Sequence, residues 1–166
     1  MANQTDKLAI VKQLIRGIPD PEIPVINIEE LGLLRDVKLD AEGNLEIIIT
    51  PTYTGCPAMQ AIETDIARLL NENNITGYKI TTVLSPAWTT DWITQEAKEK
   101  LRDYGIAPPE KTTASKKALL GEAPDVKCPR CKSINTIMVS QFGSTACKAL
   151  YKCNDCLEPF DYFKCL

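Results

Sequence analysis

The sequence predicts an α+β fold: a small mixed three-stranded sheet with helices, followed by a small all-β module fastened by metal. Three observations point there. Residues 1–106 alternate helix-period segments with short β-branched runs. Residues 107–126 break that pattern with Pro108-Pro109, scattered Lys, Thr, Ser and Ala, and Pro124, the composition of a tether. The last forty residues hold six of the seven cysteines. The expected units are therefore 1–106, a linker at 107–126, and 127–166.

The cysteines define the C-terminal unit. Cys128-Pro129-Arg130-Cys131 and Cys153-Asn154-Asp155-Cys156 are two Cys-x-x-Cys pairs with 21 residues between them. Each pair can offer two thiolates from one tight turn, and two turns make a tetrahedron that suits structural Zn²⁺, as in a zinc ribbon. An iron–sulfur centre is the alternative metal for such a set. So short a segment buries little apolar surface, so metal binding supplies much of its folding free energy. Cys147 and Cys165 remain as buried thiols, neighbours of the ligand set, or extra ligands. A disulfide framework is disfavoured because no charged-then-apolar leader follows Met1, and the expected compartment is the cytoplasm.

Charge and composition exclude several classes. No apolar run reaches the roughly 20 residues of a membrane span. Residues 1–126 carry 13 basic and 19 acidic side chains, net −6, whereas residues 127–166 carry 6 and 3, net +3. A basic module on an acidic body could meet nucleic acid or an acidic protein. With no histidine in the chain, histidine-assisted nucleophiles and histidine metal ligands are excluded, so an enzyme built on a cysteine would need a pre-formed thiolate.

Leu8, Val11, Leu14/Ile15 and Ile18 recur at helical spacing, predicting a helix over 5–16 that stops at Gly17. In Ile18-Pro19-Asp20-Pro21-Glu22-Ile23-Pro24 the alternating prolines forbid a helix and hold Asp20 and Glu22 in a stiff turn. By chemistry alone these carboxylates read as a solvated loop. Asn27-Ile28-Glu29-Glu30 has the form of a capping box opening a short helix that ends at Gly32. Strands are expected at 33–39 and 45–50, joined by the turn Asp40-Ala41-Glu42-Gly43-Asn44, with Ile47-Ile48-Ile49 covered on both faces.

The second strand exits into Thr50-Pro51-Thr52-Tyr53-Thr54-Gly55-Cys56-Pro57. A helix follows with Met59, Ile62, Ile66 and Leu69/Leu70 on one face and its end near Asn73-Asn74. Pro57 fits the first helical position, which puts Cys56 at or beside the N-cap, where unpaired amides and the helix dipole favour a thiolate and should lower its pKa. A small residue packed at a strand–helix junction explains the same cysteine equally well.

A third strand, 78–84, runs into a loop carrying Trp88 and Trp92, one a core lid and one free to face a partner. A last helix, 95–104, should turn Ala97, Leu101 and Tyr104 inward and stop at Gly105. The linker has one weakly helical stretch, Ser115 to Leu120. In the ribbon, strands are expected at 134–140, 148–152 and 160–164, with a turn at Phe142-Gly143-Ser144-Thr145. The closing aromatics are core cover for the metal site or a base-stacking platform.

Three of these motifs, Asp20-Pro21-Glu22-Ile23-Pro24, Thr52 to Pro57 around Cys56, and Pro86-Ala87-Trp88-Thr89, together resemble the metal–sulfur cluster assembly factors of the SufT-like family. Ala87 stands where those relatives often carry proline. The tail, from Cys128 through Phe142-Gly143-Ser144-Thr145-Ala146-Cys147-Lys148 to Phe160-Asp161-Tyr162-Phe163-Lys164-Cys165, resembles the zinc-ribbon extension of the PaaD family of phenylacetate-degradation proteins. The resemblance implies a non-catalytic accessory subunit of the ring-1,2-phenylacetyl-CoA epoxidase, a multicomponent oxygenase. It also implies a role in assembling or inserting an iron–sulfur cluster in a partner oxygenase or reductase subunit. Cys56 is then the functional thiol and candidate ligand of a transient cluster. Asp20, Glu22, Thr52 and Trp88 support its loop, and Zn²⁺ sits in the ribbon.

One thiol is one ligand, so the rest must come from a second copy of the chain, the leftover cysteines or the client. The competing reading is a zinc-ribbon adaptor that binds protein or nucleic acid without cluster chemistry. For nucleic acid, Lys127, Arg130, Lys132, Lys148, Lys152 and Lys164 would have to line one face.

Overall fold

The computed structural model describes residues 4–109 and 124–164, with side chains from Lys7 onward. The stretch Ser115–Leu120, most of the linker, and Cys165 lie outside the described residues. The chain divides into two compact units, Met1–Trp88 and Thr89–Leu166.

The first unit runs α1 (Gln4–Arg16), β1 (Leu34–Leu39), β2 (Leu45–Ile49), α2 (Ala58–Glu72) and β3 (Tyr78–Thr82). The sheet order is β1-β2-β3, antiparallel then parallel, which is the expected mixed sheet. The hairpin turn closes because the Asp40 carboxylate accepts the Glu42 and Asn44 amides at 3.1 and 2.7 Å, and Gly43 takes a positive φ of 83°. A parallel partner for β2 needs a crossover, and α2 supplies it. Its apolar stripe, Met59, Ile62, Ile66 and Leu70, is buried together with Val11 and Ile15 of α1 and Leu45, Ile47 and Ile49 of β2. Each fully buried Leu or Ile is worth about 2 kcal/mol.

Three expectations are corrected in this unit. β2 alternates, with Leu45, Ile47 and Ile49 buried but Glu46 and Ile48 only half-buried, so the isoleucine run has one core face rather than two. The capping box at Asn27 forms, with the Glu30 amide donating to Asn27 Oδ1 at 2.8 Å and the Asn27 amide to Glu30 Oε2 at 3.0 Å. It caps only turns, because Gly32 enters the left-handed region at φ 76° before a helix can propagate. Asp20 is not solvated. It is 4% exposed, and its Oδ1 accepts the Glu22 and Ile23 amides at 2.9 and 2.8 Å. The proline-rich turn has no ladder to satisfy those amides, so a buried carboxylate does it.

The second unit opens with a 3-10 turn, Thr90–Trp92, and α3 (Gln95–Tyr104), capped by Thr94 Oγ1 accepting the Ala97 amide and ended by Gly105 at φ 92°. Its sheet comprises β4 (Ile106–Ala107), β5 (Thr136–Ser140), β6 (Lys148–Cys153) and β7 (Pro159–Phe163) in the order β4-β7-β6-β5. Ile106 and Ala107 pair in parallel with Asp161 and Tyr162. The chain on both sides of the linker therefore builds one sheet, and the units divide at Trp88/Thr89 rather than at residue 106. On α3, Ala97, Lys98 and Leu101 are the buried face. Tyr104, expected inward, is 55% exposed, standing at the last helical residue before Gly105 reverses the chain.

Candidate functional site

The two Cys-x-x-Cys turns converge. The sulfurs of Cys128, Cys131, Cys153 and Cys156 all lie within 4.8 Å of one another. Cys128 Sγ is 3.7 Å from Cys156 Sγ, and Cys131 Sγ is 3.5 Å from Cys153 Sγ. Four sulfurs about 2.3 Å from one Zn²⁺ stand about 3.8 Å apart, so the donor set fits that ion. The turns are built alike. The residue after each pair, Lys132 (φ 66°) and Leu157 (φ 64°), is left-handed without being glycine, which costs roughly 1–2 kcal/mol. Asp155 ties one turn to the other by accepting the Ser133 hydroxyl and, at 2.7 Å, the Asn135 side-chain amide. The Ser133 and Asn135 hydrogen bonds hold its carboxyl below the usual range. Sequence reasoning missed this cross-brace, and Asp155 inside a Cys-x-x-Cys was its only sign.

The electrostatics ask for a cation. The Cys156 amide, opposed by burial and helped by the Asp155 amide, brings the Cys153 thiol down to about 7. The Glu158 amide pulls Cys156 the same way, yet burial and the sulfurs of Cys153, Cys131 and Cys128 push it up to about 12. One thiolate forms readily and the next is resisted, so four ionised sulfurs can coexist only around a positive ion.

Cys147 is not a further ligand. It is buried beside Thr145 Oγ1 at 3.1 Å. It precedes β6 and lies six residues before Cys153, about 20 Å away along an extended strand. The six basic side chains do not form one exposed face either. Lys148 is 4% exposed and bonded to Ser144, and Lys164 donates to the Gln141 carbonyl. The closing aromatics cover the core, since Phe160 and Tyr162 pack with Tyr151, Cys128 and Cys153.

In the first unit, the loop bearing Cys56 leaves β2 through Thr50, whose amide donates to the Leu33 carbonyl at 2.9 Å and whose hydroxyl donates to the Val83 carbonyl at 2.7 Å. That fixes where the chain departs from the sheet. Gly55 then takes φ 84°, with open space where a Cβ would stand. The Cys56 amide donates to the Tyr53 carbonyl at 3.2 Å, and the Cys56 carbonyl accepts the Met59 amide at 3.3 Å. Pro57, expected as the first helical residue, is the N-cap and makes no side-chain cap bond, so Cys56 stands one position earlier. Cys56 is half-buried, as are Thr52 and Glu22. Trp88 is the buried tryptophan, donating Nε1–H to the Leu31 carbonyl at 2.9 Å, while Trp92 is half-buried.

Residues 112–164 match the family model described as the PaaD zinc beta ribbon domain, and residues 8–84 match that of the Iron-sulfur cluster assembly protein family. Over 153 residues the chain is 50% identical to an Escherichia coli (strain K12) protein named as one component of a "Putative 1,2-phenylacetyl-CoA epoxidase", covering 92% of this chain and 90% of that one. The chain belongs to the PaaD family. A Porphyromonas gingivalis protein named "Fe-S protein maturation auxiliary factor" is 33% identical to this PaaD-family chain over 92 residues, covering 55% of this chain and 87% of the relative. A solved domain of unknown function, DUF59, from Bacillus anthracis is 28% identical, with a TM-score of 0.51, over 57% of this chain and 90% of that one. No helix among the described residues is long and apolar enough to cross a membrane.

Proposed function

We propose that this PaaD-family chain is a non-catalytic accessory subunit of a phenylacetyl-CoA epoxidase system, a multicomponent oxygenase. It assists assembly or insertion of an iron–sulfur cluster in a partner oxygenase or reductase subunit. The observation that carries the reading is Cys56: a half-accessible thiol outside the ribbon, on a glycine-turned loop in the unit that matches cluster-assembly proteins. The cluster is cargo here. A thiolate is a soft ligand for iron, but one thiolate retains a cluster poorly, so the other ligands come from the client and transfer follows readily. Asp20 and Trp88 hold their own loops of the same unit, through two backbone amides and the Leu31 carbonyl respectively. The ribbon's four cysteines hold structural Zn²⁺. The cytoplasm, where thiols stay reduced, is the proposed setting.

The test is anaerobic reconstitution of the metal-free cluster-bearing partner with iron and sulfide, in the presence of wild type or Cys56→Ser. Wild type should raise the rate and extent of cluster formation, read by visible absorption. Cys56→Ser should lose that effect while keeping its zinc. Full cluster occupancy with the variant would remove Cys56 from the reading.

A further inference from the structure

Among the described residues the ribbon sheet ends at β5, whose outer backbone edge has no neighbour in the strand order. Ile137 is 56%, Met138 42% and Val139 58% exposed, flanked by Ile134 at 70% and Phe142 at 63%. Natural sheet edges are usually blunted by charges or proline. From Ser133 to Cys147 this chain carries neither a charged residue nor a proline.

The stretch is also chemically palindromic about Met138. Ile134 corresponds to Phe142, Asn135 to Gln141, Thr136 to Ser140 and Ile137 to Val139. We infer that β5 is a self-association edge, pairing antiparallel with β5 of a second copy of this chain about a two-fold axis near Met138. An isologous contact presents one patch to itself, so it requires a surface that reads alike in both directions. Here Ile137 would meet Val139, β-branched against β-branched, with no like charges opposed, while Asn135, Thr136 and Ser140 stay bonded within their own chain, to Asp155, the Val126 carbonyl and the Phe142 amide. A charged partner would find nothing on this strand to select it.

The five apolar side chains expose on the order of 500 Å², at the upper end for a monomer's apolar patch. Two copies would bury about 1,000 Å², near the lower bound of a specific interface. One face of Phe142 is already covered by Lys164 Nζ, 4.2 Å from the ring centroid. A register shift between Met138 and Ser140 bends the strand, shortening the straight edge. The expected affinity is therefore micromolar.

The test is sedimentation velocity on the zinc-loaded full chain from about 1 to 200 µM, with hydrogen exchange on the same samples. The weight-average mass should rise from 18.4 kDa toward twice that value, with amides 136–140 gaining protection in step. Ile137→Lys and Val139→Lys, tested separately, set like charges near the axis and should each weaken association at least tenfold with zinc content unchanged. A wild type monomeric throughout, or a dimer without protection at 136–140, overturns the inference. Should both lysine variants lose zinc, the wild-type exchange data decide alone.

Discussion

Asp20 separates two roles for the proline-rich turn: a charge that tunes a metal site, or an internal acceptor that holds a loop. Its Oδ1 accepts the buried Ile23 amide and the partly buried Glu22 amide. Asp20→Ala strands both donors. A buried unsatisfied amide costs about 1–3 kcal/mol and a partly wetted one less, so the sum is about 3 kcal/mol. In a unit of this size each kcal/mol moves the midpoint by about 4–8 °C, predicting a fall of roughly 15 °C. Asp20→Asn keeps an oxygen in place and should recover at least half.

The assay is thermal unfolding by fluorescence in a Trp92→Phe background, so that the buried Trp88 reports the first unit alone. An unchanged Asp20→Ala midpoint, or an Asp20→Asn as unstable as Asp20→Ala, would refute the acceptor argument. If Asp20→Asn is stable yet inactive in cluster transfer, the charge itself acts on the cargo.

Removing the ribbon metal with a chelator, or Cys153→Ser, should unfold the ribbon strands while leaving the first unit's Trp88 signal in place. Zinc analysis with circular dichroism checks this, and a folded metal-free ribbon would deny the metal a structural part. In the zinc-loaded protein an alkylating reagent should modify Cys56 well before the exposed Cys131, whose sulfur the metal holds; equal rates, read by peptide mass mapping, would argue against a four-sulfur site. Gly143→Ala brings a Cβ to 2.6 Å from Asp161 Oδ1 and 3.4 Å from the β6 backbone, so it should displace the Asp161 carboxylate that accepts the Ser144 hydroxyl and lower ribbon stability by about 1–2 kcal/mol. Gly55→Ala meets no neighbour and suffers only the positive φ, about 1 kcal/mol, so a large destabilisation in chemical unfolding would mean that the loop is more tightly packed than it looks.

What could be read before folding was whatever the chain encodes locally. The Asp40–Asn44 turn, the Gly105 stop, and the stripe on α2 follow from residue type and period, and the paired cysteines follow from spacing. What escaped depended on distant partners. β4 is two residues long, too short for any period, and exists because β7 offers an edge to Ile106 and Ala107. Asp20 reads as solvent-facing between its prolines, yet those prolines create the amide shortage that draws it inside. Asp155 looks like spacer between two ligands until Ser133 and Asn135 arrive from the other turn. Pro57 was misplaced by one position because proline can serve either as the cap or as the first helical residue.

The two sulfur sites differ in what they leave open. In the ribbon, four sulfurs converge as a donor set that fits one cation, two of them on buried cysteines. A closed tetrahedron has no vacant position for an incoming ligand, so that site fastens the fold and exchanges slowly. On the proposed function, the single sulfur of half-accessible Cys56 would leave every other coordination position of the cargo to the client. Retention and release oppose one another at any single metal site. On that proposal the two tasks fall in separate units, so loss of Cys56 should spare zinc and fold, and loss of a ribbon cysteine should spare the Cys56 loop. A variant at one site that removed both properties would refute that division of tasks.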